Sequence, residues 1–481
     1  MKYFNSSKDK ILHKLGTHPV LATIAAIAEK TETSIFAVGG FVRDTLLQQD
    51  GKDIDFVIEG DGLTFAKHVA HSLKTRRLTI YKKFGTAMIE WQGFQLEFVG
   101  ARKESYRGDS RNPDVAPAEL SEDLARRDFT INAMALSLNK NTFLDLVDPH
   151  NGQLDLQQKI IRTPLEPLQT FSDDPLRILR GVRFATRLGF TLEQSSLTAM
   201  QQMGHRLKII SQERITDELL KILSAPKPGA GFLLLDKAGI LRYIFPELVQ
   251  LKGIETRNGY AHKDVFLHTL EVLDNVAAVS KHIPLRLSAL LHDIAKPVTK
   301  AFKPGKGWSF HGHEEIGARM LPAIFRRMRL SNEWLKYVQK LTRLHLRPIA
   351  LTEEECTDSS YRRLLFQAGD DLEDLVALCR ADITSKNMKR KQEYLKNFDF
   401  VVKRLNEVEE TDKLRAFQSP VRGEEIMRIM QIGEGPEVGR LKKRIESAIL
   451  DGEIPNDYEA AKTFLLSLNE QQSTNGSAAT C

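Results

Sequence analysis

Cysteine is scarce in this 481-residue chain, and Cys356, Cys379 and Cys481 have no metal-ligand spacing and cannot all pair. That argues against a disulfide framework and favours a reducing compartment. Long apolar runs are absent too: no window approaches eighteen uninterrupted apolar residues, so no transmembrane helix and no membrane partner are expected. The polar start Met1–Lys8 has no apolar stretch of the signal-peptide kind, which makes a cytoplasmic location the expectation. Charge of one sign is not in large excess; a net +6 permits a nucleic-acid partner without demanding one. No repeat of fixed period is evident, and 481 residues with 42% hydrophobic and 27% charged are too many for one core and ordinary for a soluble protein.

What is present begins with Phe36-Ala37-Val38-Gly39-Gly40-Phe41-Val42-Arg43-Asp44. A short apolar run ends in two glycines and passes into a helix from about Val42. Free backbone N–H groups and the positive end of a helix dipole then face whatever docks there, which makes a phosphate cradle. Lys52-Asp53-Ile54-Asp55-Phe56-Val57-Ile58 follows. In a strand Asp53 and Asp55 project from one face while Ile54 and Phe56 point into the core. Two such carboxylates repel unless a cation sits between them, and all-oxygen ligands beside a phosphate site imply Mg²⁺. In this order and spacing the segments resemble the nucleotidyltransferase superfamily. They are closely similar to the tRNA nucleotidyltransferase (CCA-adding enzyme) and bacterial poly(A) polymerase family, whose signature is Gly-Gly-x-Val-Arg-Asp followed by Asp-x-Asp. The resemblance implies nucleotide contacts for Gly39, Gly40 and Arg43.

Along the chain, residues 7–30 read as a helix with Ile11, Leu15, Ile24, Ile27 and Ala28 inward. Residues 35 to about 150 mix strands (35–38, 54–58, 78–81, 86–91, 94–99) with helices at 42–48 and 62–74. From about 160 the strand signal disappears. The fold class expected is an α/β nucleotidyltransferase palm, a mixed sheet with helices, followed by a mostly all-α C-terminal region. The expected division is a palm at 1–160, a helical neck at 161–250, a further helical domain at 251–390 and a helical tail at 391–481 with a disordered end.

Glu97 lies in Gln95-Leu96-Glu97-Phe98-Val99, a strand beside the one bearing Asp53 and Asp55. The resemblance makes it the third carboxylate, completing the metal site or activating the attacking hydroxyl. The polar stretch from Ala101 to Asp114 reads as a mobile loop. In the family a loop at this place helps switch the enzyme from C to A addition, and relatives that add only C lack a working version. Leu124-Ala125-Arg126-Arg127-Asp128 precedes an apolar segment read as a helix. By resemblance Arg127 contacts the nucleotide and Asp128 lies near its ribose.

In Asp173-Asp174-Pro175-Leu176-Arg177-Ile178-Leu179-Arg180-Gly181-Val182-Arg183, helical spacing puts Asp174, Arg177, Arg180 and Arg183 on one face. An aspartate that accepts from an exocyclic amine, next to an arginine that donates in a fixed fork, imitates the edge of a Watson–Crick partner. Cytosine and adenine both offer an amine beside a ring nitrogen, whereas uracil and guanine offer a carbonyl there, so one such pair admits C and A. The resemblance assigns this selection to Asp174 and Arg177, and nucleotide or phosphate contacts to Arg180 and Arg183. Gln212–Leu219 also matches a family helix and reads as scaffolding.

A separate pattern comprises His268, His292-Asp293 at the end of an apolar helix, His313, His345 and Asp382. It resembles the HD metal-dependent phosphohydrolase domain, so the mostly all-α C-terminal region is expected to include an HD domain at 251–390, with His268, His292, Asp293 and Asp382 as metal ligands and His313 and His345 as the extra histidines of binuclear versions. Imidazole and carboxylate suit a second divalent metal of transition type. The combined resemblance implies addition of C, C and A to the tRNA 3′ end from CTP and ATP, dependent on Mg²⁺, with no obligate protein partner. A poly(A) polymerase or A-adding enzyme shares every residue named, and an HD phosphohydrolase with an RNA-binding palm is the reading from a different class.

Overall fold

The computed structural model describes residues 15–82, 85–105, 114–352, 356–385, 387–412 and 419–477. They fall into two compact units, Met1–Val249 and Gln250–Cys481. The first is built on a seven-stranded mixed sheet in the order β3-β4-β5-β2-β1-β8-β9. Its strands are β1 (Ile35–Val38), β2 (Asp53–Ile58), β3 (Leu78–Tyr81), β4 (Thr86–Trp91), β5 (Phe94–Gly100), β8 (Ala135–Ser137) and β9 (Leu146–Val147). β2 and β5 run parallel, and the other neighbours are antiparallel. The helices around it include α1 (Pro19–Lys30), α2 (Gly40–Leu46), α3 (Gly62–Ser72) and α4 (Leu120–Ala125).

Alternation along β2 and β5 sets the two faces. Ile54, Phe56, Leu96 and Phe98 are buried, and the Phe56 and Phe98 rings stack at 5.1 Å with Phe65 of α3 leaning in at 5.9 Å. Burying each of these side chains contributes roughly 2–3 kcal/mol. The opposite face changes character along the strands. At Val57 it packs with Phe36, Val38, Leu120 and Leu124, and Val99 joins them. Two residues earlier the same face carries Asp55 and Glu97, both exposed and directly opposite in register. The palm therefore has a closed end and an open, acidic end on one surface.

The apolar helix expected after Asp128 is instead one 3₁₀ turn, Thr130–Asn132, followed by β8, which pairs with β1. A short buried run carries no period that separates strand from helix. The expected single helix at 7–30 is interrupted at Thr17 and His18: Leu15 and Gly16 are helical, and a second helix starts at Pro19, which takes the first helical position where its missing N–H costs nothing. Leu15, Ile24, Ile27 and Ala28 are buried as expected, while Ile11 lies outside the described residues. β6 (Arg102–Ser105) and β7 (Asp114–Pro117) pair antiparallel; residues 106–113 of the expected loop lie outside the described residues.

Beyond residue 160 the chain is mainly helical, as expected for this class. Three small strand pairs interrupt it: β10 (Ile160–Ile161) with β11 (Thr191–Leu192), β12 (Thr256–Arg257) with β13 (Tyr260–Ala261), and β14 (Ala301–Lys303) with β15 (Gly307–Ser309). Strands of two or three residues are too short to leave an alternation in the sequence. In the first unit α5 (Pro167–Asp173), α6 (Leu176–Leu188) and α7 (Gln212–Leu223) follow the sheet. The second unit includes α8 (Val265–Val279), α9 (Ile283–Leu291), α10 (His313–Arg327), α11 (Asn332–Leu344) and α12 (Leu372–Asp382). A last helix, Tyr458–Ser477, covers much of the end read as disordered, and residues 478–481 lie outside the described residues. Among the described residues no helix is long and apolar enough to cross a membrane.

Candidate functional site

β1 brings Val38 opposite Asp55, and the chain then turns through Gly39 at φ 70° and ψ −129°. A Cβ on Gly39 would stand 2.9 Å from Arg127 Nη1 and 3.8 Å from Asp55 Oδ2, so only glycine lets the backbone come this close. Gly40 opens α2. Both glycines line a cavity of about 1280 Å³ in the first unit, together with Asp55, Arg127, Asp174 and Arg177. Nine arginines and four aspartates line this space, a positive balance that suits a polyanion.

Asp55 lines the cavity, and Asp53 and Glu97 share its face of the sheet. Although the Asp55 and Glu97 side chains are both open to solvent on one side, desolvation by the surrounding protein raises the Asp55 carboxyl above its usual range, and Asp53 adds to the rise while Arg127 opposes it. Desolvation raises Glu97 likewise, with Asp55 as the second cause. Carboxylates held in this state gain from a nearby cation. They do not form one of the tight three-ligand groups found elsewhere among the described residues. That suits Mg²⁺, which takes one or two carboxylates and draws its other oxygens from substrate phosphates and water.

Behind the carboxylates a buried frame holds the arginines. Asp123 is fully buried and accepts from Arg126 Nη2 at 2.5 Å on one oxygen and from Arg127 Nη2 at 3.0 Å on the other. Asp128 accepts from Arg180 Nε at 2.7 Å and from Asn132 Nδ2 at 3.0 Å. Burial works to raise the Asp128 carboxyl, but the Arg180 guanidinium wins and holds it at about 2. Asn132 in turn accepts from Arg43 Nη1 at 2.6 Å, so Arg43 is a buried part of this frame. The guanidiniums of Arg43, Arg180 and Arg183 surround the Phe184 ring at 5.1, 5.6 and 4.4 Å. Arg183 Nε lies 2.8 Å from Glu218 of α7, an ion pair without hydrogen-bond alignment.

Asp174 does not lie on the helix that carries the arginines. It sits in the break between α5 and α6 with extended backbone, φ −135° and ψ 103°. The residue before a proline is pushed out of the helical region, and Pro175 follows it. One Asp174 oxygen accepts from Leu176 N–H at 3.0 Å, and Arg214 of α7 approaches the other at 3.6 Å. Arg177 is pinned by two carbonyls: Nη2 donates to Arg126 O at 2.8 Å and Nη1 to Thr170 O at 3.4 Å. The aspartate and the arginine are thus both held in place by the protein's own contacts, and both line the cavity.

The second unit gathers the expected histidines and aspartates. His268, His292 and Asp382 bring one ligand atom each within 4.8 Å of one another, and Asp293, His313 and His345 do the same. Asp293 stands between the groups, with Oδ2 3.3 Å from His292 Nε2 and Oδ1 3.3 Å from His313 Nε2. Each outer ring nitrogen has an oxygen partner: His292 Nδ1 to Ala289 O, His313 Nδ1 to Phe310 O, His345 Nδ1 to Thr342 O and His268 Nδ1 to Thr384 Oγ1. A carbonyl at Nδ1 fixes the proton there and turns the bare Nε2 inward, as metal ligation needs. His292 Nε2 and Asp293 Oδ1 are buried without hydrogen-bond partners, and Lys296 Nζ, 2.6 Å from Asp293 Oδ2, supplies the nearest fixed charge. The donor set fits one or two divalent cations of the transition series.

Four residues that shape the first site escaped the sequence reading. Phe184 directly follows the segment ending at Arg183, and Asn132 and Arg214 stand inside segments already singled out, but each has a partner on another element. Asp123 sits in an ordinary acidic helix turn, with no local sign that it is buried.

Three family models match in order: the poly A polymerase head domain over residues 35–162, the probable RNA and SrmB-binding site of polymerase A over 189–251, and the HD domain over 265–387. An A-adding tRNA nucleotidyltransferase of Deinococcus radiodurans is 33% identical over 72% of this chain and 78% of its own length. A CC-adding tRNA nucleotidyltransferase of Thermus thermophilus is 32% identical over 91% of this chain and 94% of its own. A crystal structure of a tRNA nucleotidyltransferase with a primer tRNA and an incoming ATP analog matches at 26% identity and a TM-score of 0.57, over 79% of this chain and 99% of that one. The chain belongs to the tRNA nucleotidyltransferase family and is a nucleotidyltransferase enzyme.

Proposed function

We propose that this enzyme builds the CCA end of tRNA, adding C, C and A from CTP and ATP in the cytoplasm, with residues 1–160 as palm, 161–250 as neck, 251–390 as HD domain and 391–481 as tail. The observation that carries this reading is the pre-oriented Asp174 and Arg177 in the same arginine-lined cavity as Asp55 and the Gly39-Gly40 turn. Asp174 accepts from the amine of cytosine or adenine and Arg177 donates to the neighbouring ring nitrogen. Arg127, Arg180 and Arg183 meet the triphosphate and ribose, with Asp128 holding Arg180 in place. The tRNA 3′-oxygen attacks the α-phosphorus, the bond to the β-phosphate oxygen breaks, and pyrophosphate leaves. Asp53 and Asp55 would hold Mg²⁺, with Glu97 beside them taking the hydroxyl proton. Bound there, Mg²⁺ supplies charge stabilisation for the α-phosphate and the leaving pyrophosphate.

Addition of A alone is the second reading, favoured by the A-adding name of the Deinococcus relative. Incorporation on tRNA transcripts ending before the first C, after CC and after CCA, with CTP and ATP supplied singly and together, decides between them. Extension by three, one and no nucleotides supports CCA addition. Extension of the CC transcript alone overturns it in favour of the A-adding enzyme, and a long A ladder would make it a poly(A) polymerase.

We also propose a metal-dependent phosphohydrolase centre at His268, His292, Asp293 and Asp382, with His313 and His345 as further ligands. Loss of phosphoesterase activity in His292→Ala and Asp293→Ala supports it, and wild-type activity in both overturns it.

A further inference from the structure

Beside the histidine–aspartate centre, two hairpins pack on each other. β12–β13 turns at Asn258 and Gly259, both with positive φ (51° and 79°), the signature of a tight two-residue turn. Against it lies β14–β15: Trp308 Nε1 donates to Tyr260 O at 3.1 Å, and the Tyr260 hydroxyl to Gly305 O at 3.2 Å. A Cβ on Gly307 would stand 2.8 Å from the Tyr260 ring, so that glycine is what lets the ring lie on the strand. His262, Trp308, Phe302 and Tyr260 follow one another with ring centroids 5.5, 5.2 and 6.3 Å apart.

These rings are not a sealed core. Tyr260 is 42% exposed, and every residue from 252 to 261 is exposed. Cations stack on the rings: Arg257 on Phe302 at 4.8 Å, Lys300 on Trp308 at 5.2 Å and Lys296 on Phe310 at 5.8 Å. Lys296 is also the lysine that reaches Asp293, and the Phe310 ring lies 5.8 Å from that of His262. A strip of rings and cations therefore runs from Asp293 out to solvent, with Lys300 also paired to Glu255 at 2.5 Å and Arg257 at its exposed end. A two-hairpin unit needs some packing of its own, which the partly buried Phe302, Trp308 and Phe310 supply, whereas the exposed Tyr260 adds little to its stability. Rings interleaved with cations hold a nucleobase by its face and a phosphate by charge.

We propose that this wall is the nucleoside subsite of the HD centre, taking a nucleoside 3′-phosphate with its base on the rings and its phosphate at Lys296 and the histidines. The proposal rests on the phosphohydrolase reading of that centre. In the reaction, water adds to phosphorus, the bond to O3′ breaks, and the departing oxygen takes a proton to become the 3′-hydroxyl.

The test uses the full chain with Mn²⁺. Adenosine 3′-monophosphate should quench tryptophan fluorescence, glycerol phosphate should not, and the quench should vanish in Trp308→Phe. Tyr260→Ala and Arg257→Ala, an exposed residue whose loss spares the fold, should each weaken nucleotide binding on the order of ten-fold. Both should lower the ratio of kcat/KM for the nucleotide to that for glycerol phosphate. No quench in the wild type, or a ratio unchanged in both variants, overturns the proposal. Quenching that depends on Tyr260 in a protein that hydrolyses neither substrate leaves the wall standing and removes the phosphohydrolase. Hydrolysis without preference for the nucleotide does the reverse. Tighter binding of an RNA oligomer with a 3′-phosphate identifies an RNA end as the occupant, and equal affinity identifies the free nucleotide.

Discussion

Asp128 accepts two guanidinium contacts from Arg180, Nε at 2.7 Å and Nη2 at 2.6 Å, across 52 residues of sequence. This pair ties the turn after α4 to α6, and Asn132 extends it to Arg43 on α2. Asp128→Asn would leave Arg180 unpartnered at this end. Removing one member of a buried pair costs about 3–5 kcal/mol; because Arg180 keeps 37% of its side chain exposed, water screens it and about 2 kcal/mol is expected. The Asp128 carboxyl is lowered to about 2, so its contribution is present above the ordinary carboxylate range and lost as pH falls through 2. Urea unfolding should give a constant gap between wild type and Asp128→Asn from pH 6 to 8, closing below pH 4.

Asp174→Asn reverses one hydrogen-bonding edge. The amide can donate to the carbonyl that uracil presents, so UTP incorporation relative to CTP should rise on the order of 100-fold. Single-nucleotide incorporation with each of the four triphosphates measures it, and unchanged discrimination would remove Asp174 from base selection.

Asp53→Ala and Asp55→Ala should each lower nucleotide incorporation by on the order of a thousand-fold, with phosphoesterase activity retained. Asp55 and Glu97 are both raised by desolvation from the protein around them, and only their charged forms attract a cation. Incorporation should therefore rise with pH on the acidic limb, and more Mg²⁺ should move that limb to lower pH. A limb that ignores Mg²⁺ would separate these carboxylates from the metal.

Gly39 and Gly40 should respond differently to alanine. Gly39→Ala meets Arg127 Nη1 at 2.9 Å in a backbone conformation that side chains rarely adopt, a strain of about 1–3 kcal/mol. For Gly40→Ala the nearest neighbour is Arg43 Nη2 at 3.7 Å, an ordinary contact, so thermal unfolding should not change. Lost incorporation with unchanged unfolding in Gly40→Ala would mark it as a place where phosphate approaches the backbone.

The palm was legible because β2 and β5 are long enough to show alternation, with Ile54, Phe56, Leu96 and Phe98 on one side and acids on the other. β8 was not, since Ala135–Ser137 is buried on both sides and has no period. Asp174 was read onto a helix because its spacing from Arg177 fits one; the proline at 175 outweighed the spacing.

Composition, motif order and spacing were enough to determine the class of fold, the family and most of the residues of interest. Those signals are local, set by strand alternation, helix period and turn glycines. Tertiary structure alone decided that Asp123 anchors two arginines, that Asn132 joins Arg43 to Asp128, that Arg214 approaches Asp174, and that an aromatic wall stands beside Asp293. Each depends on distances between residues on separate elements, and no local pattern records how the chain brings those elements together.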